Sequence, residues 1–521
     1  MIQVGDLFQK CKQLARTIKL GRPSRCLTGP DFDLTPPSRE VGDAMTTLYI
    51  QSFESIFRTM HIPTFRKECQ RFWDNPEGTK TGLRLKVLLA IAIGSSLSAY
   101  GDVDDSLRNL AHQWVYAAQK WLSGPLEKDR LDITGIQVHC LLILARQVFS
   151  IGGDLVWMSM GSLIHTAMQI GLHRDPKHLP KMSVIQAEVR RRLWATILEL
   201  AIQASLDSAM PPRISLDEYD TEAPSNINDD EIDESIESIK PWPRDTFTSS
   251  SLQLLLQESV CTRLRVLQLL NGLHSELSYV DALALSSQVT EIYRSCSTFM
   301  QEQEALGVTA FQRNLIDYMV RRLMVPLHCP FATKARKSPL FNYSLKIILE
   351  TAMSIMSPEP DDGFSRLMAL GGGMFREGIR YACSIIALEL IAQVEAQRLD
   401  GTLRRNTQYI EILRTMVKDI MALSIERIRQ GETNIKTPVF MNMILGQVEA
   451  METGAALEPR IAECAKESLE LCHELLVARA AKTPATYYQG NDFTPVSLDG
   501  DHDRYGFDLD LDLFLSDAGF S

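Results

Sequence analysis

From Met45 to about Ala481 the apolar residues of this chain recur at steps of three and four, and runs that alternate apolar with polar residues are almost missing. A strand buries every second residue and a helix every third or fourth, so this period leaves little room for a sheet. The expected fold is all-α. Met45, Leu48, Tyr49, Ser52, Phe53, Ile56, Phe57 and Met60 share one helical face, and the HIPTF that follows, with Pro63, is expected to end that helix. Val156, Met160, Leu163, Ile164, Ala167 and Gly171 line a second stripe, read as core rather than a cofactor box. No fixed repeat period accompanies these patterns, so an irregular multi-helix body is expected rather than a regular solenoid.

Charge and cysteine usage narrow the function classes. A net charge of −11 over 521 residues excludes broad electrostatic binding to nucleic acid, which needs a concentrated Lys/Arg surface. The longest uncharged apolar run, VLLAIAIGSSLSA from Val87, is too short for a membrane span, and Asp6 and Gln9 interrupt the place of a signal peptide's apolar stretch. No membrane contact is expected, and the protein is expected to stay inside the cell. The ten cysteines show no CxxC, so no metal site is expected in this chain and the thiols read as small buried hydrophobes.

The first 44 residues carry Lys10, Lys12, Arg16, Lys19, Arg22 and Arg25 and the paired prolines of DLTPPSRE, and read as a basic, loop-like linker remnant. Residues 188 to 232, EVRRRLWATILELAIQASLDSAMPPRISLDEYDTEAPSNINDDEI, pose a sharper question. Ser183 and Gln186 form a capping box for a helix that Pro211 and Pro212 end. Successive residues lie about 100° apart on a helix, so Arg190, Arg191 and Arg192 fan out and cannot all face one ligand. They are expected on a salt-bridged, solvated face, with Glu188 and Arg192 as an exposed pair and the acidic loop 217 to 233 as partner to the others, rather than on phosphate or in a nuclear import signal.

Catalytic patterns are missing. There is no GxSxG, no GxxxxGK[ST] and no HExxH, and Gly371 to Gly373 lack the lysine a phosphate loop needs. His173, Asp175 and His178 lie in one loop without a second ligand cluster, and His139 and His165 read as hydrogen-bonded core histidines. No catalytic residue and no enzyme are expected.

Taken in chain order, HIPTF (His61, Pro63, Phe65), MQIGLHRD (Gly171, Leu172, His173, Arg174, Asp175), EVRRRLW (Glu188, Arg190, Arg191, Arg192, Trp194), the MPPRI turn (Pro212) with PSNINDD, and LHCPF (His328, Pro330, Phe331) followed by SPLFNYS resemble the middle homology region of fungal zinc-cluster transcription factors. The resemblance covers residues 45 to 350, with 351 to 482 as a helical extension of the same body. It implies a regulatory domain that holds the factor inactive or answers a metabolite, a nuclear location, and architecture as the role of these motifs. Two departures stand out: Ala201 and Ala209 occupy places where the pattern often has an acidic residue and a glycine. The family's six-cysteine zinc module is not in this chain, whose first hundred residues hold only Cys11, Cys26 and Cys69. Zinc and DNA contact are therefore expected only through a longer form, or for DNA through a partner.

Residues 483 to 521 change character, with eight Asp and one Arg interleaved with Phe507, Leu509, Leu511, Leu513 and Phe514. The composition fits a disordered activation segment that folds on the transcription machinery or a co-activator, and equally a final strand or frayed terminus. Two functions follow: a transcriptional regulator of fungal genes, for instance a metabolic or biosynthetic set, and a helical scaffold or small-molecule sensor that acts through partners. Homodimerisation and a small-molecule effector are compatible with both.

Overall fold

The computed structural model describes residues 2–20, 32–98, 105–124, 130–400 and 407–482. Among them the regular structure is helical throughout, with no strand. In chain order the helices are α1 (Ile2–Leu20), α2 (Arg39–Tyr49, continued by a π-turn at Ile50–Glu54 and a short turn at Ser55–Phe57), α3 (Ile62–Asp74), α4 (Thr81–Ser95), α5 (Asp105–Ser123), α6 (Ile133–Val148) and α7 (Val156–Gln169). There follow α8 (Val184–Ser208), α9 (Ser251–Glu258), α10 (Val260–Asn271), α11 (Tyr279–Glu302), α12 (Ala310–Arg321) and α13 (Met324–Ala332). The last are α14 (Asn342–Met356), α15 (Asp362–Leu370), α16 (Gly372–Asp400), α17 (Thr407–Arg429), α18 (Lys436–Thr453) and α19 (Leu457–Ala481).

Helices α4 and α6 are mostly apolar and buried almost end to end, which places them at the centre, with the buried Lys86 and Gln137 hydrogen-bonded to each other between them. The run VLLAIAIGSS that is too short for a membrane is thus a core helix, and among the described residues no helix is long and apolar enough to cross a membrane. α2 and α5 pack on α4, α7 and α16 on α6, and α8 on α7 and α10. Gly94 lets α2 lie against α4: a Cβ there would come 1.9 Å from the Met45 carbonyl oxygen. One contiguous core runs from Met45 to Met451.

Two expectations are corrected here. The N-terminal segment is not loop-like over its first part, because Ile2–Leu20 is a helix packed along α19. Cys11 and Ile18 join Ile428, Leu469, Cys472 and Leu476 in a second, smaller core. Its lysines and arginines hid an apolar stripe at Val4, Leu7, Cys11, Leu14 and Ile18, a spacing of three and four. Pro63 does not end α2; it opens α3 in the first turn, where its missing N–H costs nothing. The break falls at Arg58, in the left-handed region at φ 47°. Residues 483–521, with Phe507, Leu509, Leu511, Leu513 and Phe514, lie outside the described residues.

Candidate functional site

Three of the family-like stretches, HIPTF, EVRRRLW and PSNINDD, converge on the carboxylate of Asp229, in the loop between α8 and α9. Its Oδ1 accepts from Arg192 Nη1 at 2.6 Å and from Arg58 Nη2, and its Oδ2 accepts the Ile62 amide at 2.7 Å. The Asp229 carbonyl meets His61 Nε2 at 3.0 Å, while His61 Nδ1 faces Thr64 Oγ1 at 2.8 Å. Arg192 Nε donates to Glu188 Oε1 at 3.2 Å, and that oxygen also accepts the Ser225 amide at 3.0 Å. Phe65 is buried below. Three distant stretches, HIPTF, EVRRRLW and the acidic loop, are thus tied by one group of charges.

These charges are interior. Arg192 and Glu188 are each 1% exposed, which corrects the expected solvated pair, and Arg58, Asp229 and Glu54 are buried with them. Burial works against ionising Asp229, yet the guanidiniums of Arg58 and Arg192 outweigh it and hold its carboxyl below the usual range. Glu54, turned inward by the π-turn, accepts from Tyr49 Oη at 2.7 Å, Thr59 Oγ1 at 2.5 Å and the Met60 amide at 2.7 Å. Its burial outweighs these contacts and raises its pKa. Breaking such a group from one side is costly, because it strands a buried charge.

Arg191 and Arg190 serve the other side of the same helix. Arg191 grips Asp175 in a bidentate pair, Nε to Oδ2 and Nη2 to Oδ1 both at 2.9 Å. Asp175 is fully buried and also accepts the Lys177 amide at 3.0 Å and the Glu222 amide at 3.0 Å. Burial pushes its pKa up, but the Arg191 fork and the two amides prevail and hold it at about 2. Asp175 is therefore committed to Arg191, and among the described residues no group of three or more His, Cys, Asp or Glu could hold a metal. Arg190 Nη2 caps the end of α7 by donating to the Ile170 carbonyl at 2.6 Å, beside Gly171 at φ 77°. The Leu172 and His173 carbonyls receive Thr221 Oγ1 and the Asp220 amide, and Arg174 pairs with Asp220 on the surface. Trp194 is buried between the His173 and Tyr219 rings.

The MPPRI turn begins at Ala209, a left-handed C-cap at φ 48° where a glycine suits better. Pro211 accepts Trp157 Nε1 at 3.2 Å, and Arg213 stacks over the Trp157 ring 4.0 Å from its centroid, so Pro212 sits in a pinned turn. Farther off, His328 is fully buried and its Nδ1 lies 2.9 Å from Ser344 Oγ, tying α13 to α14; Pro330 falls within α13 and Phe331 in a ring cluster. His139 is buried as expected, and burial depresses its pKa to about 4, but His165 is exposed.

Several members of the charged interior have no counterpart in the motifs. Arg263 forks onto Glu199 at 2.8 and 2.5 Å, and Arg322 reaches Gln203 and Asp207 across the same face of α8. The available signal was Glu199, Gln203 and Asp207 at four-residue steps in the otherwise largely apolar second half of that helix. Between α11, α12 and α14 lies a cleft of about 230 Å³ with Cys296, Met300, Arg313, Asp317 and Arg321 on its walls.

The sequence profile of the fungal specific transcription factor domain matches residues 46–303. The chain is 42% identical over 568 residues to the transcription factor asR3 of Sarocladium schorii, with 98% of this chain and 66% of that protein covered. It is 35% identical to the transcription factor opdR of Penicillium oxalicum, covering 95% and 67%, and 29% identical to the aspyridones cluster regulator apdR of Emericella nidulans, covering 87% and 62%. The chain thus spans about two thirds of the length of these curated relatives. Their names are those of transcription factors and a regulator, not of enzymes.

Proposed function

This chain belongs to the family that carries the fungal specific transcription factor domain, and from that membership we propose that it is a nuclear regulator of transcription whose helical body is a regulatory module. The observation that carries the reading is the family match over residues 46–303; the arginines of EVRRRLW, each committed to a carboxylate or carbonyl of the same chain, support an architectural role for that helix rather than a grip on phosphate. The genes under control are proposed to be a biosynthetic set, on the strength of the cluster regulator among the relatives. DNA contact is assigned to a longer form carrying the six-cysteine cluster, where zinc would sit, or to a partner. The acidic residues 483–521 are proposed to engage the transcription machinery or a co-activator. The cleft between α11, α12 and α14 does not favour an effector-responsive body over a plain scaffold, since it is small and its Arg313 and Arg321 are already paired with Glu359 and Asp317.

The test is to fuse the whole chain to an unrelated DNA-binding module in a fungal host and measure a reporter. Activity that needs residues 483–521 supports the reading. A fusion that enters the nucleus and leaves the reporter unchanged speaks against it.

A further inference from the structure

The turn between α13 and α14, TKARKSPLFNYSLK, departs from the acidic balance of the chain. Lys334, Arg336, Lys337 and Lys346 are exposed within it, and none of the first three pairs with a carboxylate among the described residues. Lys346, 70% exposed, has a loose contact with Glu350 at 3.7 Å. Apolar groups stand among these cations: Leu340 is 67% and Tyr343 45% exposed. The turn is rigidly backed. Tyr279, Phe331 and Phe341 pack ring on ring with centroids 4.9 to 6.0 Å apart, Tyr279 Oη donates to the Leu340 carbonyl at 3.1 Å, and His328 ties α13 to Ser344. Lys334 lies over the Phe331 and Phe341 rings at 5.8 and 5.9 Å. A cationic surface with apolar side chains held outward fits a segment that alternates acid with bulky apolar groups.

We propose that this turn is the docking surface for residues 505–517 of the same chain, YGFDLDLDLFLSD. That segment carries Asp508, Asp510, Asp512 and Asp517 between Phe507, Leu509, Leu511, Leu513, Phe514 and Leu515. Its four carboxylates match in number Lys334, Lys337, Lys346 and Arg336, the last of which also donates to the Leu388 carbonyl at 3.2 Å, and Leu340 and Tyr343 would take the apolar side chains. Residues 483–504 separate the segment from the end of α19, a span of roughly 70 Å at full extension, which exceeds the width of a domain of this size. A phosphate backbone would use the cations but leave Leu340, and the exposed part of Tyr343 whose ring packs edge-on against His328, uncovered.

The experiment uses the full chain with a photo-crosslinking benzoylphenylalanine in place of Leu511, as an equal mixture of normal and heavy-isotope protein. Crosslinks within one chain to residues 333–346 are expected, and the yield should fall roughly tenfold when Lys334, Lys337 and Lys346 are changed to Glu, about the effect of losing one good contact. Leu340→Ser with Tyr343→Ser, which leaves the charges in place, should also lower it. Unchanged yield in the charge-reversed chain, crosslinks to another surface, or crosslinks between chains of different isotope would overturn the proposal. So would retention of duplex DNA that the charge reversal abolishes while the crosslinks persist. Docking does not require that the segment activate transcription, so the reporter and the crosslink answer separately.

Discussion

Arg58 and Arg192 reach the same carboxylate oxygen of Asp229, one from the left-handed end of α2 and the other from the middle of a helix 1% open to water at that point. Two buried guanidiniums on one acid hold together segments that the chain separates widely, and a role in architecture follows from that geometry. A guanidinium so placed has no access to a nucleic-acid backbone.

Removing the shared acid is accordingly expected to be severe. Asp229→Ala leaves Arg58 and Arg192 buried without their common partner and should destabilise the fold by about 3–5 kcal/mol. By contrast Asp43→Ala, which breaks an exposed pair with Arg39 at 3.5 Å, should cost under about 0.5 kcal/mol. Urea unfolding followed by circular dichroism separates the two, and equal midpoints would contradict the interior role.

Asp175 predicts a pH dependence. Its folded-state pKa, about 2, lies below the ordinary 3.8, so its contribution is present above the ordinary value and is lost as pH falls through the folded one. The stability difference between the native chain and Asp175→Asn should hold steady near neutrality and shrink between about pH 4 and pH 2. Denaturation at a series of pH values checks it, and a difference that grows on acidification would reverse the sign.

Ala209 offers a gain. At φ 48° an alanine pays for the left-handed region, whereas glycine does not. After the added freedom of the unfolded chain is subtracted, Ala209→Gly should stabilise by about 0.5–1 kcal/mol. A lower urea midpoint in the variant would show that the C-cap is not strained.

The acidic segment makes a prediction independent of the fold. Residues 483–521, fused to an unrelated DNA-binding module, should activate a reporter, and changing Leu511, Leu513 and Phe514 to Ala should abolish the effect while the helical content of the parent chain is unchanged. An inactive fusion would return the segment to the status of a frayed terminus.

The helical class and the capping box of α8, with Ser183 and Gln186 bonded reciprocally, were legible because both are local in sequence. The burial of Arg192 was not. Helical phase tells which residues share a face, but from Arg192 to Ser205 α8 is buried on every side, so the assumption of one wet face failed. Likewise nothing near Arg58 announces that its partner lies in the loop before α9. The docked α1 was not legible for a related reason, since its lysines and Arg16 interrupt a stripe that matches the apolar side of α19.

Arg58, Arg190, Arg191 and Arg192 hold this body together and are not expected to read DNA. Titrating the full chain against a random-sequence duplex pool at physiological salt tests this most directly. Weak retention with no enriched site is the expected result. Enrichment of a defined sequence by this chain, lost on changing Arg190 or Arg191, would contradict it.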